Sequence, residues 1–126
     1  CEAVYGACDG EGSVTNIGSV GSVVGLPSQA PYTASKHAIA GMTKTLAADW
    51  APDVRVNCLA PGYVITEFTE GVRGNDEIRE ELLDGIPASR FAEPEEIAGT
   101  AVYLASDAAG YVTGEVHVVD GGLAAI

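Results

Sequence analysis

The chain has 126 residues and a hydrophobic content of 47%, which is the size and composition of one folded domain. Its 18 acidic residues outnumber 6 basic ones, and the formal charge of −12 disfavours binding to nucleic acid or to an anionic membrane. No apolar run is long enough to span a bilayer, so we expect a cytoplasmic protein. The 3 cysteines and 2 histidines are scattered, which predicts neither a disulfide framework nor a metal site.

The acidic composition suggests a hypothesis about the source. An acidic surface with only two lysines, Lys36 and Lys44, is typical of proteins from a salt-rich cytoplasm. An ordinary acidic cytosolic protein fits the composition equally well. A folding titration against KCl distinguishes the two, because unfolding at low salt is expected only of the halophilic protein.

The predicted elements alternate between strands and helices. Pro31 suits the first turn of a helix and Pro52 ends that helix. Short β-branched runs bounded by glycine predict strands. In chain order we expect a helix tail at 1–7, a strand at 13–17, a loop at 18–29, a helix at 31–50, a strand at 54–60, a polar segment at 66–89 with one weak helix at 76–83, a helix at 93–106 and a strand at 115–120.

Two apolar patterns assign the buried sides of the longer helices. On the first, Ile39, Met42 and Leu46 recur on one side. On the last, an apolar stripe is predicted from Ile97, Ala101, Val102 and Leu104.

The alternation predicts a layered α/β sheet with parallel strands and right-handed crossovers. In such sheets ligands bind beyond the carboxyl ends of the strands. The three predicted ends are 17–19, 60–62 and 120–122, and the first two carry the polar and glycine residues that a site needs.

A tyrosine and a lysine lie one helical turn apart just behind Pro31. Tyr32 and Lys36 are four residues apart, so they share a helix face, which Ile39 and Thr43 continue toward the sheet. The upper turn should therefore hold Tyr32 and Lys36 over the strand ends. A cation beside a phenol favours the phenolate, and such a phenol can exchange a proton with a carbonyl or an alcohol. A surface pair of no function is the alternative that the spacing alone leaves open.

Further motifs extend the pattern along the chain. The run "GSVTNIGSVGSVVGLPSQAPYTASKHAIAGMTKTLAADWAPDVRVNCLAPGYVITEF" and the later run "RFAEPEEIAGTAVYLASDAAGYVTGEVHVVDGG" resemble the short-chain dehydrogenase/reductase family. The nearest members are the 3-oxoacyl-acyl-carrier-protein reductases and glucose-dehydrogenase-like enzymes. The resemblance covers residues 11–122 and implies a Rossmann-like, doubly wound parallel sheet. It also implies that residues 1–126 are the carboxyl-terminal, catalytic part of a single domain.

The resemblance implies roles for three polar side chains. Tyr32 would be the catalytic acid/base, Lys36 would bond the nicotinamide ribose and favour the phenolate, and Ser19 would hydrogen-bond the substrate oxygen. Ser19 also stands at a strand end, where a hydroxyl can donate and accept. The competing serines, by residue type alone, are Ser22, Ser28 and Ser35, while Asn16 and Asn57 are interpreted as structural.

The same resemblance implies a cofactor contact and a substrate class. The segment "PGYVIT" would lie beneath the nicotinamide of NAD or NADP, with Tyr32 and Lys36 also touching the cofactor. The substrate would be a small carbonyl or alcohol, and the acidic stretch 67–89 would be a variable substrate loop. Within the segment the predicted cofactor-binding residues are Pro61, Gly62, Val64 and Thr66.

A glycine-rich turn for the cofactor pyrophosphate is not found in the sequence. The glycines of 18–25 follow the serine strand, so we do not interpret them as a phosphate site. We therefore expect the strand at 13–17 to be an unpaired edge, and the isolated chain to be poorly stable and to bind dinucleotide weakly. An in-frame TGxxxGxG motif in the upstream DNA would identify a segment of an ordinary reductase.

Two other interpretations stay open on the sequence. A sugar-nucleotide epimerase or dehydratase shares the Tyr-Lys spacing and the fold. A non-catalytic truncated product or an interface module is the second, since family members form dimers or tetramers. Homo-oligomer contacts through the Tyr32 helix are suggested by its small residues Ala34, Ala38 and Gly41, although packing on the sheet explains them equally well.

Overall fold

The computed structural model describes residues 2–125. Short apolar segments form three strands, β1 (Gly12–Ile17), β2 (Val54–Pro61) and β3 (Val116–Val119). The helices are α1 (Glu2–Ala7), α2 (Ala30–Trp50), α3 (Glu70–Arg73), α4 (Asp76–Asp84) and α5 (Pro94–Ala105).

The three strands form one parallel sheet in the order β1-β2-β3. The α/β class and the parallel pairing predicted from the alternation are therefore confirmed. The last strand is shorter than predicted, because Glu115 and Asp120 lie just outside it. β2 is the central strand, and its residues from Val56 to Ala60 are fully shielded from solvent. All three carboxyl ends lie at one edge of the sheet, where a ligand site is expected.

Helix α2 packs across the sheet through one face, on which Ala40, Thr43 and Ala47 are buried. Ala47 joins a core with Val54 and Val56 of β2. The predicted inward position of Met42 is wrong, because its side chain is 41% exposed. Met42 lies about 100° around the helix from Thr43, so a helix that buries Thr43 against the sheet directs Met42 toward solvent.

Helix α5 covers the other face of the sheet near its start. Leu104 is completely buried, as the apolar stripe predicted, but Val102 is 68% exposed and does not belong to the buried side. Arg55 of β2 donates to the carbonyls of Leu104 and Ser106 at 2.9 and 3.2 Å, so a cation satisfies the carboxyl end of α5. This contact fixes α5 against the central strand.

A buried amide joins β2 to the segment that precedes β3. Asn57 is fully buried, and its Nδ2 donates to Val112 O at 2.9 Å while its Oδ1 accepts from Glu115 N–H at 3.1 Å. Asn16 of β1 instead donates to Thr43 at 3.0 Å. Both contacts support the structural interpretation of these asparagines.

Replacing Asn57 by alanine is expected to lower the free energy of unfolding by about 2 to 4 kcal/mol, because two backbone groups that face this fully buried side chain lose their partners. Urea denaturation followed by circular dichroism measures this change. The control, Asn16→Ala, removes one half-buried contact and should cost only about 1 kcal/mol. Equal costs for the two variants would contradict the assigned role of Asn57.

The segment 66–89 contains more structure than the single helix expected. The predicted helix is present as α4, with Asn75 Oδ1 accepting from Ile78 N–H at 3.2 Å as its cap. Before it lie a 3₁₀ turn at Glu67–Thr69 and the short α3. Among residues 2–125, no helix has the length and apolar character that a membrane crossing requires.

Candidate active site

One cavity of about 360 Å³ lies at the carboxyl ends of β1 and β2. It is bounded by the first turns of α2, the end of β1 and the segment after β2. The structure brings all of the sequence-predicted site residues to this cavity. They are Ser19, Tyr32, Lys36, Pro61, Gly62, Val64 and Thr66.

Tyr32 and Lys36 lie over the strand ends as the helix periodicity predicts. Lys36 Nζ donates to the carbonyl oxygen of Ile17, the last residue of β1, at 3.2 Å. The same ammonium lies 5.7 Å from the centre of the Tyr32 ring. The hydrogen bond to the sheet therefore holds a cation next to the phenol within the cavity.

Ser19 is held by a short turn directly after β1. It is 8% exposed, and its Oγ accepts from Gly21 N–H at 3.1 Å, while Ser22 Oγ accepts from Ser19 N–H at 3.2 Å. These bonds make Ser19 the cap of the 3₁₀ turn Val20–Ser22. Because Ser19 Oγ accepts the hydrogen bond from Gly21 N–H within the 3₁₀ turn, its own O–H is left to donate to a ligand.

The competing serines have other positions. Ser22 is buried and serves the turn that holds Ser19. Ser28 has a positive φ of 63° and is exposed. Ser35 is also exposed, and its Oγ donates to Tyr32 O at 2.6 Å, which turns it away from the cavity. None of the three lines the cavity.

Close packing beneath the cavity explains two glycines. A Cβ on Gly18 would lie 2.6 Å from Cys58 Sγ, and a Cβ on Gly62 would lie 2.8 Å from the Cα of Asp120. Cys58 is fully buried. Burial raises the pKa of the Cys58 thiol, although the Gly18 amide and Lys36 partly oppose this, so it is a neutral packing group.

Replacing Gly62 by alanine is expected to displace the end of β2, because the new methyl group meets backbone atoms that have no freedom to move aside. We expect a loss of about 1 to 3 kcal/mol of stability and weaker ligand binding in the cavity. Chemical denaturation and a nucleotide titration measure the two effects. The control, Gly71→Ala, places its methyl group with nothing within 4 Å and should leave both unchanged.

The segment after β2 is extended and exposes its backbone to the cavity. Val64 forms a single parallel bridge with Ala92, so its backbone is held in place. Thr66 is exposed, and its N–H donates to Thr69 Oγ1 at 3.1 Å at the start of the next turn. Thr69 also donates to Val64 O at 2.6 Å, which closes this segment on itself.

Sequence reasoning missed six further side chains that line the cavity. Burial, with a smaller contribution from Tyr32, raises the pKa of Tyr63, whose ring packs on Phe91 at 5.9 Å between centres. Phe68 is 87% exposed at the mouth. The signal for Tyr63 was its place within "PGYVIT", whereas no local pattern distinguishes the others. The six residues are Val20, Leu26, Gln29, Tyr63, Phe68 and Thr69.

The comparisons with known proteins agree with this geometry. The family described as "Enoyl-(Acyl carrier protein) reductase" matches residues 1–124. Galactitol 2-dehydrogenase (L-tagatose-forming) of Cereibacter sphaeroides is 51% identical over 116 residues, covering 90% of this chain and 46% of the relative. The 2-dehydro-3-deoxy-D-gluconate 5-dehydrogenase of Bacillus subtilis is 46% identical, covering 90% of this chain and 45% of its own length.

Solved structures give the same result. The gluconate 5-dehydrogenase of Burkholderia cenocepacia, in complex with NADP and tartrate, is 38% identical with a TM-score of 0.92, covering 98% of this chain and 49% of that one. A 4-hydroxyisoleucine dehydrogenase complexed with NADH is 35% identical with a TM-score of 0.89, covering 92% and 48%. The chain spans about half the length of the curated relatives it matches. On these matches, the chain belongs to the short-chain dehydrogenase/reductase family.

Proposed function

We propose that these residues form the catalytic half of an NAD(P)-dependent oxidoreductase that interconverts a carbonyl and an alcohol. The observation that carries the proposal is the meeting of Tyr32, Lys36 and Ser19 in one cavity at the strand ends. The relatives with oxidoreductase names support the reaction class. Since the chain spans about half of their length, the activity is proposed for the whole protein.

In this proposal the proton moves at the Tyr32 hydroxyl. During reduction the Tyr32 O–H donates to the substrate oxygen, and during oxidation the Tyr32 oxygen accepts the alcohol proton. The ammonium of Lys36 is anchored to Ile17 O, so its charge stays near the Tyr32 ring. Ser19 donates its free O–H to the same substrate oxygen and holds it in position.

The residues present fit a nicotinamide. The extended backbone at 62–66 offers amide and carbonyl groups toward the cavity, and Lys36 reaches the same space from α2. We assign the contact with the cofactor to Tyr32, Lys36, Pro61, Gly62, Val64 and Thr66. When bound, NAD or NADP supplies or accepts the hydride. The solved relatives with NADP and NADH support both forms of the cofactor.

Assembly and location form part of the proposal. Ala34, Ala38 and Gly41 are all exposed on α2, on the side away from the sheet. Small side chains allow close approach of a second helix, so this surface supports a homo-oligomer. Size-exclusion chromatography with light scattering tests it. We place the protein in the cytoplasm, where NAD(P) is available.

The test is an assay of NAD(P)H consumption by the whole protein with a panel of aldehydes and ketones. We expect turnover with at least one of them and none without a carbonyl. Release of water from a sugar nucleotide without net consumption of cofactor would instead indicate the dehydratase alternative. Absence of any cofactor binding by the whole protein would contradict the proposal.

A further inference from the structure

A second cavity of about 300 Å³ adjoins the candidate active site and shares two wall residues with it. Leu26 and Tyr63 line both cavities, so the two spaces meet across these side chains. The second cavity is lined by four segments that are distant in the sequence: the loop at 24–27, Tyr63 after β2, the end of α4 with Gly85, and Leu123.

The walls of the second cavity are mostly apolar. Val24 and Leu26 form one side, and Leu82 and Leu123 form another. Gly85 lies in ordinary contact range of Leu123, since a Cβ on Gly85 would lie 3.8 Å from Leu123 Cδ1. Such walls favour a ligand with an aliphatic stretch over a ligand with a row of hydroxyl groups. Buried hydroxyl groups need hydrogen-bond partners, which the apolar side chains do not offer.

The charges are distributed unevenly between the two cavities. Among the described residues that line the first, Lys36 is the one charged side chain, and its ammonium already donates to Ile17 O. The charged residue of the second is Glu81, which lies at the exposed rim and for which no ion pair or hydrogen bond is found within residues 2–125. The far end of a bound substrate would therefore meet an unpaired carboxylate.

We propose that the second cavity is the distal substrate subsite and that Glu81 makes it select against anions. The substrate is a carbonyl or alcohol with an aliphatic stretch whose far end is uncharged or cationic. It is not a sugar acid, although several relatives are named for gluconate. This inference rests on the proposed function, because it places the reacting carbon between Ser19 and Tyr32.

The surrounding charge supports the same selection. The flanking segment 67–84 carries seven acidic residues and two arginines, of which Arg79 pairs with Asp76 at 3.2 Å and Arg73 donates to Thr66 O at 3.2 Å. The field at the cavity mouth is therefore negative. A carboxylate entering the second cavity approaches that field as well as Glu81.

The experiment compares three methyl ketones of one chain length that end in a carboxylate, a carboxamide or a trimethylammonium group. The carboxamide and the carboxylate have nearly the same shape, so their difference reports charge. On the whole protein we expect kcat/KM for the carboxamide to exceed that for the carboxylate about five- to tenfold at low salt. The difference should shrink as NaCl is raised.

Two variants locate the selecting charge. Glu81→Gln should remove most of the difference between the carboxamide and the carboxylate. Glu80→Gln makes the same change in net charge at a neighbour that is exposed like Glu81 but does not line the cavity, and it should preserve the difference. Equal effects of the two variants, or a wild-type preference for the carboxylate, would overturn the inference.

A binding measurement separates this inference from the proposed function. Saturation-transfer NMR on the same three ketones reports binding without turnover. If none is reduced but the carboxamide ketone binds better than the carboxylate ketone, and Glu81→Gln removes this difference, the result contradicts the proposed reaction and supports the proposed subsite. Reduction of all three ketones at equal efficiency supports the reaction and overturns the subsite. Absence of any binding overturns both.

Discussion

Replacing Tyr32 by phenylalanine is expected to lower kcat of the whole protein by about a thousandfold, within the range that proton transfer by a positioned side chain contributes. The ring and its packing stay, while the hydroxyl that exchanges the proton is lost. Because the ring of residue 32 and the other five residues assigned to the cofactor remain, the dissociation constant for NAD(P)H should change much less than kcat. Initial rates and a fluorescence titration of NAD(P)H measure the two quantities.

The companion variant, Lys36→Met, should affect both quantities. It removes the ammonium held at 3.2 Å from Ile17 O, and with it the proposed contact to the cofactor. We therefore expect a loss of turnover and weaker nucleotide binding together. The control is Tyr111→Phe. Tyr111 is fully exposed, so this substitution removes one phenolic hydroxyl outside the candidate active site and should leave both quantities unchanged. A Tyr32→Phe protein that keeps more than a tenth of wild-type turnover would exclude Tyr32 as the acid/base.

The second large effect is on the solution behaviour of the 126 residues expressed alone. β1 pairs with β2 on one side only, and among the described residues nothing pairs with its other edge. Gly12 N–H and Gly18 N–H point to Asp53 O and Leu59 O, so the alternate backbone groups at Ser13 and Thr15 point outward. An unpaired edge of this kind recruits other strands.

Exposed apolar side chains lie on the same molecule, with Ile17 57% and Val102 68% exposed. We therefore expect aggregates or strand-swapped species in size-exclusion chromatography with light scattering, and weak or undetectable dinucleotide binding. A monodisperse product with a cooperative melting transition and micromolar affinity for NAD(P)H would contradict this expectation.

A proline substitution tests whether the outward edge is the cause. Thr15→Pro removes an outward N–H without touching the bonds to β2, so it should reduce aggregation of the isolated chain. In the whole protein the same change should be strongly destabilising if β1 is there paired on both sides. Thr15→Val keeps the amide and is the matched control in both backgrounds. A proline that changes neither background would show that the edge is not used.

Much of the fold follows from local pattern. The alternation of β-branched runs with helical periodicity was enough to predict three parallel strands, α2 and α5, because side-chain period and turn residues act within a few positions. The predictions for Met42 and Val102 were wrong because periodicity identifies apolar positions, and burial depends on which faces other elements cover. The short helix α3 was missed, since its four residues contain a glycine and show no periodic pattern.

The candidate site divides in the same way. Spacing on one helix places Tyr32 beside Lys36, and a strand end places Ser19, so the sequence by itself determined these positions and the class of chemistry they allow. The tertiary structure alone decided which distant segments meet. Leu26, Tyr63, Glu81 and Leu123 lie in four separate parts of the chain, and only the crossing of loop, helix and strand ends encloses a cavity between them. Local sequence patterns reflect interactions between near neighbours along the chain, whereas the walls and charge of a cavity depend on contacts between residues far apart.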